Sequence, residues 1–360
     1  MSEKQLLSPQ GLKEYLKSKK HMENYLNYLR GIPKEPVSDT SEIRHPNPKY
    51  HFMFHPDHRY LNFHPDLEPI VRDLLEGKVE RKYEDIPPDI AVHDYIGHMA
   101  SSQAYCWNIV LPMKRHDNFA PLFDTLNAAL QEGKVEYSFD FGVETAVVLE
   151  MNVSQDLGEG KLGTSIDLYL RTQSGMVCAM EFKLTEPDFG QCSQPRDGKC
   201  DGHYGSRANC EKNEGYLCYL AKIGRRYWRL GAQYYLLDPT FVSKDVETDP
   251  IKRCPLNVFY QPLRNLMVAK KRSNETVDGP VRGIFVLVAD KRNKAFWGNN
   301  NHFDRFKKYL ATARKEYNKK DVFRISTQDI VGKFLGKFSG SLVSGSLASY
   351  REFYKVKYDL

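Results

Sequence analysis

The stretch Thr164–Glu186, TSIDLYLRTQSGMVCAMEFKLTE, contains two short segments of strand-forming residues joined by the turn sequence QSG. Apolar and polar residues alternate within both segments, which is typical of strands that bury one face. The glycine tolerates the positive φ that a tight turn needs, so we predict a β-hairpin. Counting back from this turn pairs Arg171 with Val177.

The same count places Asp167 opposite Glu181, and Lys183 projects from the face that carries Glu181. Two neighbouring carboxylates suit a hard divalent cation such as Mg²⁺ or Mn²⁺, which neutralises charge on a phosphodiester and lowers the pKa of a bound water. A lysine beside them can position the attacking water and stabilise the charge of the transition state. The alternative interpretation is a solvated polar face with a cross-strand salt bridge.

Asp167 followed by Glu181-Phe182-Lys183 resembles the PD-(D/E)xK, or restriction-endonuclease-like, nuclease superfamily, although Ile166 stands where that family often has proline. The segments HMASSQAYCWN and RYWRLGAQYY resemble its first core helix and the helix after the catalytic strands. The segment EFKLTEPDFGQC resembles bacterial restriction-type members that carry a K-x-T-E-x-x-F extension. The resemblance spans about residues 90–300. It implies an α/β fold with an αβββαβ core, a mixed central sheet flanked by helices, and metal-dependent hydrolysis of DNA. Asp167 and Glu181 then bind the metal, and Lys183 assists the attacking water.

The resemblance also implies that the helix after the catalytic strands directs a glutamine, often followed by tyrosine, toward the scissile phosphate. Gln233 takes this place, and Arg226 and Arg229 share its helical stripe, where arginine can pair with phosphate of the DNA. The alternative is an amphipathic helix with a solvated basic face. Glu150 is a further candidate for an upstream carboxylate, and its alternative is a surface acid.

Cys192, Cys200, Cys210 and Cys218 lie in a polar segment that has too few apolar residues for a core of its own. Four thiolates suit a Zn²⁺ ion or an iron–sulfur cluster that would order the segment, and His203 is an alternative ligand. The segment has no C-x₂-C pair, which is the usual zinc signature. The alternative is a set of reduced free thiols.

Composition places the chain among ordinary globular proteins, with 41% hydrophobic and 27% charged residues in 360. It has no apolar run of about 18 residues and no signal-peptide pattern at its start, so we expect a cytoplasmic protein that does not enter a membrane. The formal net charge of +6 permits a nucleic-acid partner without requiring one. Seven cysteines without an export signal argue against a disulfide framework.

We expect an N-terminal extension over 1–90, a nuclease core over 91–300 with a cysteine-rich insertion at 190–220, and a C-terminal helical extension over 301–360. Residue spacing predicts helices at 7–31, 91–112, 122–132, 224–237, 260–271 and 303–317, strand structure at 135–153, and a buried strand at 283–290.

The leading functional hypothesis is a metal-dependent endonuclease of restriction type that acts on double-stranded DNA. Cutting both strands of a palindrome favours a two-fold homodimer. The alternatives are a nucleic-acid-binding module that does not cleave and a DNA-repair nuclease.

Overall fold

The computed structural model describes residues 9–31, 42–76, 92–94, 96–133, 145–160, 164–237, 254–274, 283–313, 318–337 and 344–360. The strands in this part of the chain are β1 Ala146–Asn152, β2 Ser165–Arg171, β3 Val177–Lys183, β4 Gly283–Ala289 and β5 Val322–Ser326. The helices are α1 Pro9–Leu16, α2 Lys19–Arg30, α3 Glu68–Leu75, α4 Ser102–Arg115, α5 Ala120–Glu132, α6 Ser154–Leu157, α7 Arg207–Lys212, α8 Tyr219–Lys222, α9 Tyr227–Gln233, α10 Pro255–Val258, α11 Tyr260–Asn274, α12 Lys294–Trp297, α13 His302–Ala313, α14 Thr327–Lys337 and α15 Ser344–Tyr358. Short 3₁₀ helices lie at Pro48–Tyr50, Pro56–Asn62, Pro65–Leu67 and Asn318–Asp321.

The strands form one mixed sheet in the spatial order β1-β2-β3-β4-β5. β1, β2 and β3 pair antiparallel, whereas β3–β4 and β4–β5 pair parallel. A mixed sheet flanked by helices confirms that part of the predicted fold. The predicted hairpin is also confirmed, because Arg171 pairs with Val177 and Gly175 takes the expected positive φ of 81° in the turn.

Apolar side chains cover the sheet on both faces, so every residue of β3 and β4 is buried. One core contains Leu168, Cys178, Met180 and Phe182 together with side chains of α2, α4, α5, α14 and α15. The other contains Val177, Ala179 and Phe285 together with side chains of α9, α11 and α13. The continuous apolar run in β4 follows from this arrangement, since a central strand has no water-facing side.

Three predicted helices differ clearly from those observed, and the one expected at 224–237 covers only Tyr227–Gln233. The segment 7–31 contains two helices because Ser18 interrupts the run and caps α2, accepting a hydrogen bond from the His21 backbone nitrogen at 3.1 Å. The helix expected at 91–112 begins only at Ser102, after its N-cap Ser101, and continues to Arg115. The part of the predicted strand structure at 135–144 lies outside the described residues.

Helix α11 packs directly against β3 and β4 and lies between them in the sequence. The contact is close at Gly283, where a Cβ atom would lie 2.3 Å from the backbone carbon of Ala269. A side chain is excluded at this position because the neighbouring atoms belong to the backbone of α11 and cannot rotate away. Within the described segments, no helix combines the length and apolarity that a membrane crossing requires.

We expect Gly283→Ala to lower the free energy of unfolding by more than about 2 kcal/mol, because the added methyl group must push α11 away from the sheet. Gly332→Ala is a matched control, since Gly332 is exposed within α14 and its added methyl group would meet nothing within 4 Å. That control should stabilise the protein by up to about 1 kcal/mol. Urea unfolding of both variants measures the difference, and equal effects would contradict the close approach.

Candidate active site

Three of the four predicted catalytic residues, Asp167, Glu181 and Lys183, lie at one end of the hairpin, where they line a cleft of about 400 Å³. Asp167 is on β2, and Glu181 and Lys183 are on the neighbouring strand β3. The observed register of the hairpin ends at the pair of Leu168 and Met180, which are the direct sequence neighbours of Asp167 and Glu181. The other residues that line the cleft are His93, Ser102, Gln103, Phe182, Glu186, Pro187, Asp188, Gly190 and Gln261.

Glu181 and Lys183 form an ion pair, with 3.0 Å between Glu181 Oε1 and Lys183 Nζ. The two residues are only 4% and 5% exposed, so this face is not solvated, although the salt bridge of the alternative interpretation is present. Burial alone would lower the pKa of Lys183, but the carboxylates of Glu181, Glu186 and Asp167 outweigh it and raise that pKa above its ordinary value. Lys183 therefore stays charged although it is almost completely buried.

Helix α11 completes the polar contacts of this pair. Lys183 Nζ donates a hydrogen bond to Gln261 Oε1 at 2.8 Å, and Asn265 Nδ2 donates to Glu181 Oε2 at 2.8 Å. Gln261 and Asn265 are four residues apart on one helical stripe, so α11 reaches both charged groups from the same side. The sequence prediction assigned no role to either amide.

Asp167 is held by the hairpin itself, because its Oδ2 accepts a hydrogen bond from the backbone nitrogen of Phe182 at 2.7 Å. Burial raises the pKa of this carboxyl well above its usual range, and repulsion from Glu181 and Glu150 raises it further. The charge of Lys183 and the Phe182 hydrogen bond act in the opposite direction. The arrangement thus concentrates more negative charge than the neighbouring lysine compensates.

Glu150 is a buried residue rather than a surface acid, and it lies behind the cleft on β1. Its carboxylate accepts hydrogen bonds from Trp107 Nε1 at 3.2 Å and from Ser165 Oγ at 3.0 Å. Burial raises its pKa to about 7, and repulsion from Glu181 adds to this effect against the hydrogen bonds. Its backbone has a positive φ of 49°, which is unusual for glutamate within a strand.

The end of β3 is tied to α4 through Glu186. Its Oε2 accepts hydrogen bonds from the backbone nitrogens of Leu184 at 2.9 Å and Thr185 at 3.0 Å, and its Oε1 accepts one from Ser102 Oγ. These bonds fix the strand exit beside the first turn of α4. The predicted first core helix therefore does border the cleft.

Three residues predicted for the site lie outside this cleft. Gln233 is exposed at the end of α9 and donates a hydrogen bond to the Tyr234 hydroxyl at 3.3 Å. Arg226 and Arg229 are also exposed, and the guanidinium of Arg226 donates to the backbone oxygen of Gln155 at 3.4 Å. The helix that borders the cleft after β3 is α11, so Gln261, rather than Gln233, is the glutamine beside Lys183.

The cysteines predicted to bind a metal are only partly brought together. Cys192, Cys200 and Cys218 line one small cavity with Cys254 and His203, whereas Cys210 does not line it. No disulfide is present among these residues. In the described ranges, no group of three or more His, Cys, Asp or Glu side chains stands ready to hold a metal ion.

A pattern in the sequence did contain a signal for Gln261. The pair Tyr260-Gln261 opens a segment with helical periodicity directly before the apolar strand at 283–290, as expected for a helix that crosses from one parallel strand to the next. Gln233-Tyr234 matches the expected order of glutamine followed by tyrosine, whereas Tyr260-Gln261 reverses it. The helix of Gln233, however, lies farther along the sequence from the apolar strand at 283–290. The place of a helix directly before the parallel strand was therefore a better predictor of the glutamine beside Lys183 than the order of glutamine and tyrosine.

We expect Glu150→Gln to stabilise the protein in EDTA more at pH 8 than at pH 5. A folded-state pKa of about 7 lies above the ordinary value of 4.5, so the stability that protonated Glu150 contributes is present below pH 4.5 and is lost as the pH rises through 7. Glutamine removes this dependence. The difference between variant and wild type should grow by up to about 3 kcal/mol in urea unfolding, and a difference independent of pH would contradict the shifted pKa.

The comparisons with known proteins agree with this arrangement at the level of the family. No curated protein and no solved structure matches the chain. One family model does match, over residues 34–358, and it describes restriction endonucleases associating with ARP. Because that match covers most of the 360 residues, the chain belongs to this restriction endonuclease family.

Proposed function

We propose that the protein is a metal-dependent endonuclease of restriction type that hydrolyses phosphodiester bonds of double-stranded DNA. The observation that carries the proposal is the convergence of Asp167, Glu181 and Lys183 in one cleft of a chain that belongs to a restriction endonuclease family. The order of α4, β1, β2, β3, α11 and β4 supports the proposal, because it is compatible with an αβββαβ core once the intervening helices α5 to α10 are set aside.

Asp167 and Glu181 would hold a Mg²⁺ or Mn²⁺ ion. The fit is chemical, since both side chains offer carboxylate oxygens to one cleft, where burial and then repulsion from Glu181 raise the pKa of Asp167. A divalent cation would relieve that repulsion. Magnesium needs only one or two protein carboxylates because it keeps several of its waters. When bound, the ion would lower the pKa of a water molecule and neutralise charge on the phosphodiester.

Lys183 supplies the positive charge that the protein itself brings to the reaction. Its ammonium group is held between Glu181 Oε1 at 3.0 Å and Gln261 Oε1 at 2.8 Å, so its position is fixed before substrate arrives. A preorganised charge of this kind stabilises a developing anion without the cost of reorientation. Lys183 would orient the attacking water and stabilise the pentacovalent phosphate.

Gln261 and Asn265 act through these charged groups and are positioning residues in the proposal. Asn265 holds one oxygen of Glu181, which leaves the orientation of its carboxylate defined. Gly190 allows Gln261 to approach, because a Cβ atom there would lie 3.2 Å from Gln261 Oε1 and its φ of 71° disfavours other residues. Gly190 therefore helps to place the Gln261 side chain, and Gln261 in turn holds the Lys183 ammonium group.

We expect the wild-type protein to nick plasmid DNA with Mg²⁺ and to leave it intact in EDTA. Asp167→Asn and Glu181→Gln should each lower the cutting rate at least about 10²–10³-fold, because each removes a charge that binds the ion. Electrophoresis of plasmid over time measures the rate, and gel shift measures DNA binding.

As a control, the DNA affinity of Asp167→Asn is measured by gel shift in Ca²⁺ and should equal that of the wild type. An unchanged affinity shows that the variant has lost cleavage and not DNA binding. Salt-sensitive DNA binding by the wild type without any cutting would instead support the binding module. Full metal-dependent cutting by Asp167→Asn would overturn the assignment of the site. Cutting confined to damaged or branched DNA would favour a repair nuclease.

We expect Gln261→Ala to lower the cutting rate about 10-fold or more while DNA affinity stays within about 2-fold, since the change frees the Lys183 ammonium group from one of its two anchors. Gln233→Ala is the matched control, because the same substitution then falls on an exposed glutamine outside the cleft. Single-turnover cutting on a labelled duplex measures both. A larger loss in Gln233→Ala than in Gln261→Ala would reverse the roles of α9 and α11.

A further inference from the structure

We infer that Cys192, Cys200, Cys218 and Cys254 form a four-thiolate site for one structural Zn²⁺ ion, separate from the cleft. These cysteines come from distant parts of the chain and line one cavity. They are free thiols, and three of them are buried, with exposures of 8%, 8% and 9% for Cys192, Cys218 and Cys254. A cluster of four such thiols is the ligand set that zinc prefers in structural sites.

The size of the cavity favours a single ion. Its volume is about 10 Å³, which is close to the space that one water molecule needs and far below that of an organic ligand. An iron–sulfur cluster contains several iron and sulfide atoms and would require the walls to separate. Because no ready-made group of three or more ligands exists in the described part of the chain, binding of one tetrahedral ion would require the thiols to reorient.

Backbone hydrogen bonds connect the segments that contain Cys192, Cys200 and Cys254 beside the cavity. Cys254 N donates to Gly202 O at 2.8 Å, and Cys192 N donates to Leu256 O at 3.3 Å. Asn209 fixes the loop that follows Cys200, because its side chain accepts from Asp201 N at 2.9 Å and donates to His203 O at 2.6 Å. The stacked rings of Tyr204 and Trp228 lie beside these segments with their centroids 3.4 Å apart.

Cys210 is excluded by its place on α7. It is the neighbour of Asn209, but only Asn209 lines the cavity. Its backbone instead continues the helix, with Cys210 N donating to Ser206 O at 3.1 Å. The predicted set of Cys192, Cys200, Cys210 and Cys218 is therefore revised by exchanging Cys210 for Cys254.

The test is the metal content of the full chain, purified without chelator from cells grown with zinc. We expect about one zinc per chain and negligible iron by plasma mass spectrometry. Cys254→Ser should lose the metal, whereas the matched Cys210→Ser should keep it, and His203→Ala should also keep it. Zinc loss in Cys210→Ser with retention in Cys254→Ser would overturn the ligand set, and loss in His203→Ala would exclude an all-cysteine site.

A second measurement avoids variants that fail to fold. Titration of the wild-type protein with a mercurial reagent should release zinc in step with the reaction of four thiols, and cobalt substituted for zinc should show the absorption bands of tetrahedral cobalt thiolate. Less than about a tenth of an equivalent of zinc in reduced protein with all thiols free would overturn the proposal. Iron with visible absorption of a cluster would overturn the single ion. None of these readouts depends on DNA cleavage.

Discussion

Burying a charged group costs free energy unless polar partners replace the lost water, and Glu181 and Lys183 are almost completely withdrawn from solvent. Their attraction for each other satisfies only part of this demand. The remaining hydrogen bonds come from Gln261 and Asn265, so helix α11 has to lie across the end of β3. Gly283 allows that packing because it leaves the backbone of α11 free to touch the sheet. The charged site and the sheet-to-helix contact are thus one structural requirement.

The local parts of this arrangement were predictable from the sequence. The hairpin register followed from a three-residue turn and alternating residues, and it brought Asp167 next to Glu181 without any long-range information. The apolar strand β4 was equally clear, because a continuous run of such residues rarely occurs outside a sheet centre. In both cases the determining contacts lie within one short segment or within one strand.

The long-range parts were not predictable in the same way. The hydrogen bond from Lys183 to Gln261 joins residues 78 apart, and two helical segments with a glutamine beside a tyrosine competed for that position. Cys254 was missed for the same reason, because it lies far from the other cysteines and is separated from Cys218 by α8 and α9. Amphipathic periodicity shows that one face of a helix packs against the core, but it does not show which strand that face contacts.

The parallel pairing of β3 with β4 has a consequence for how the protein folds. The hairpin of β2 and β3 forms through contacts close in sequence, whereas β4 pairs only after the whole chain between Lys183 and Gly283 has closed into a loop. Closing a loop of this length costs conformational entropy before the stabilising contacts between β3 and β4 can form. Such non-local pairing slows folding. Because α11 lies within that same loop, we expect the pocket around Lys183 to form late in folding, together with the centre of the sheet. Chains that end before α11 contain the acidic hairpin without the helix that supplies Gln261 and Asn265.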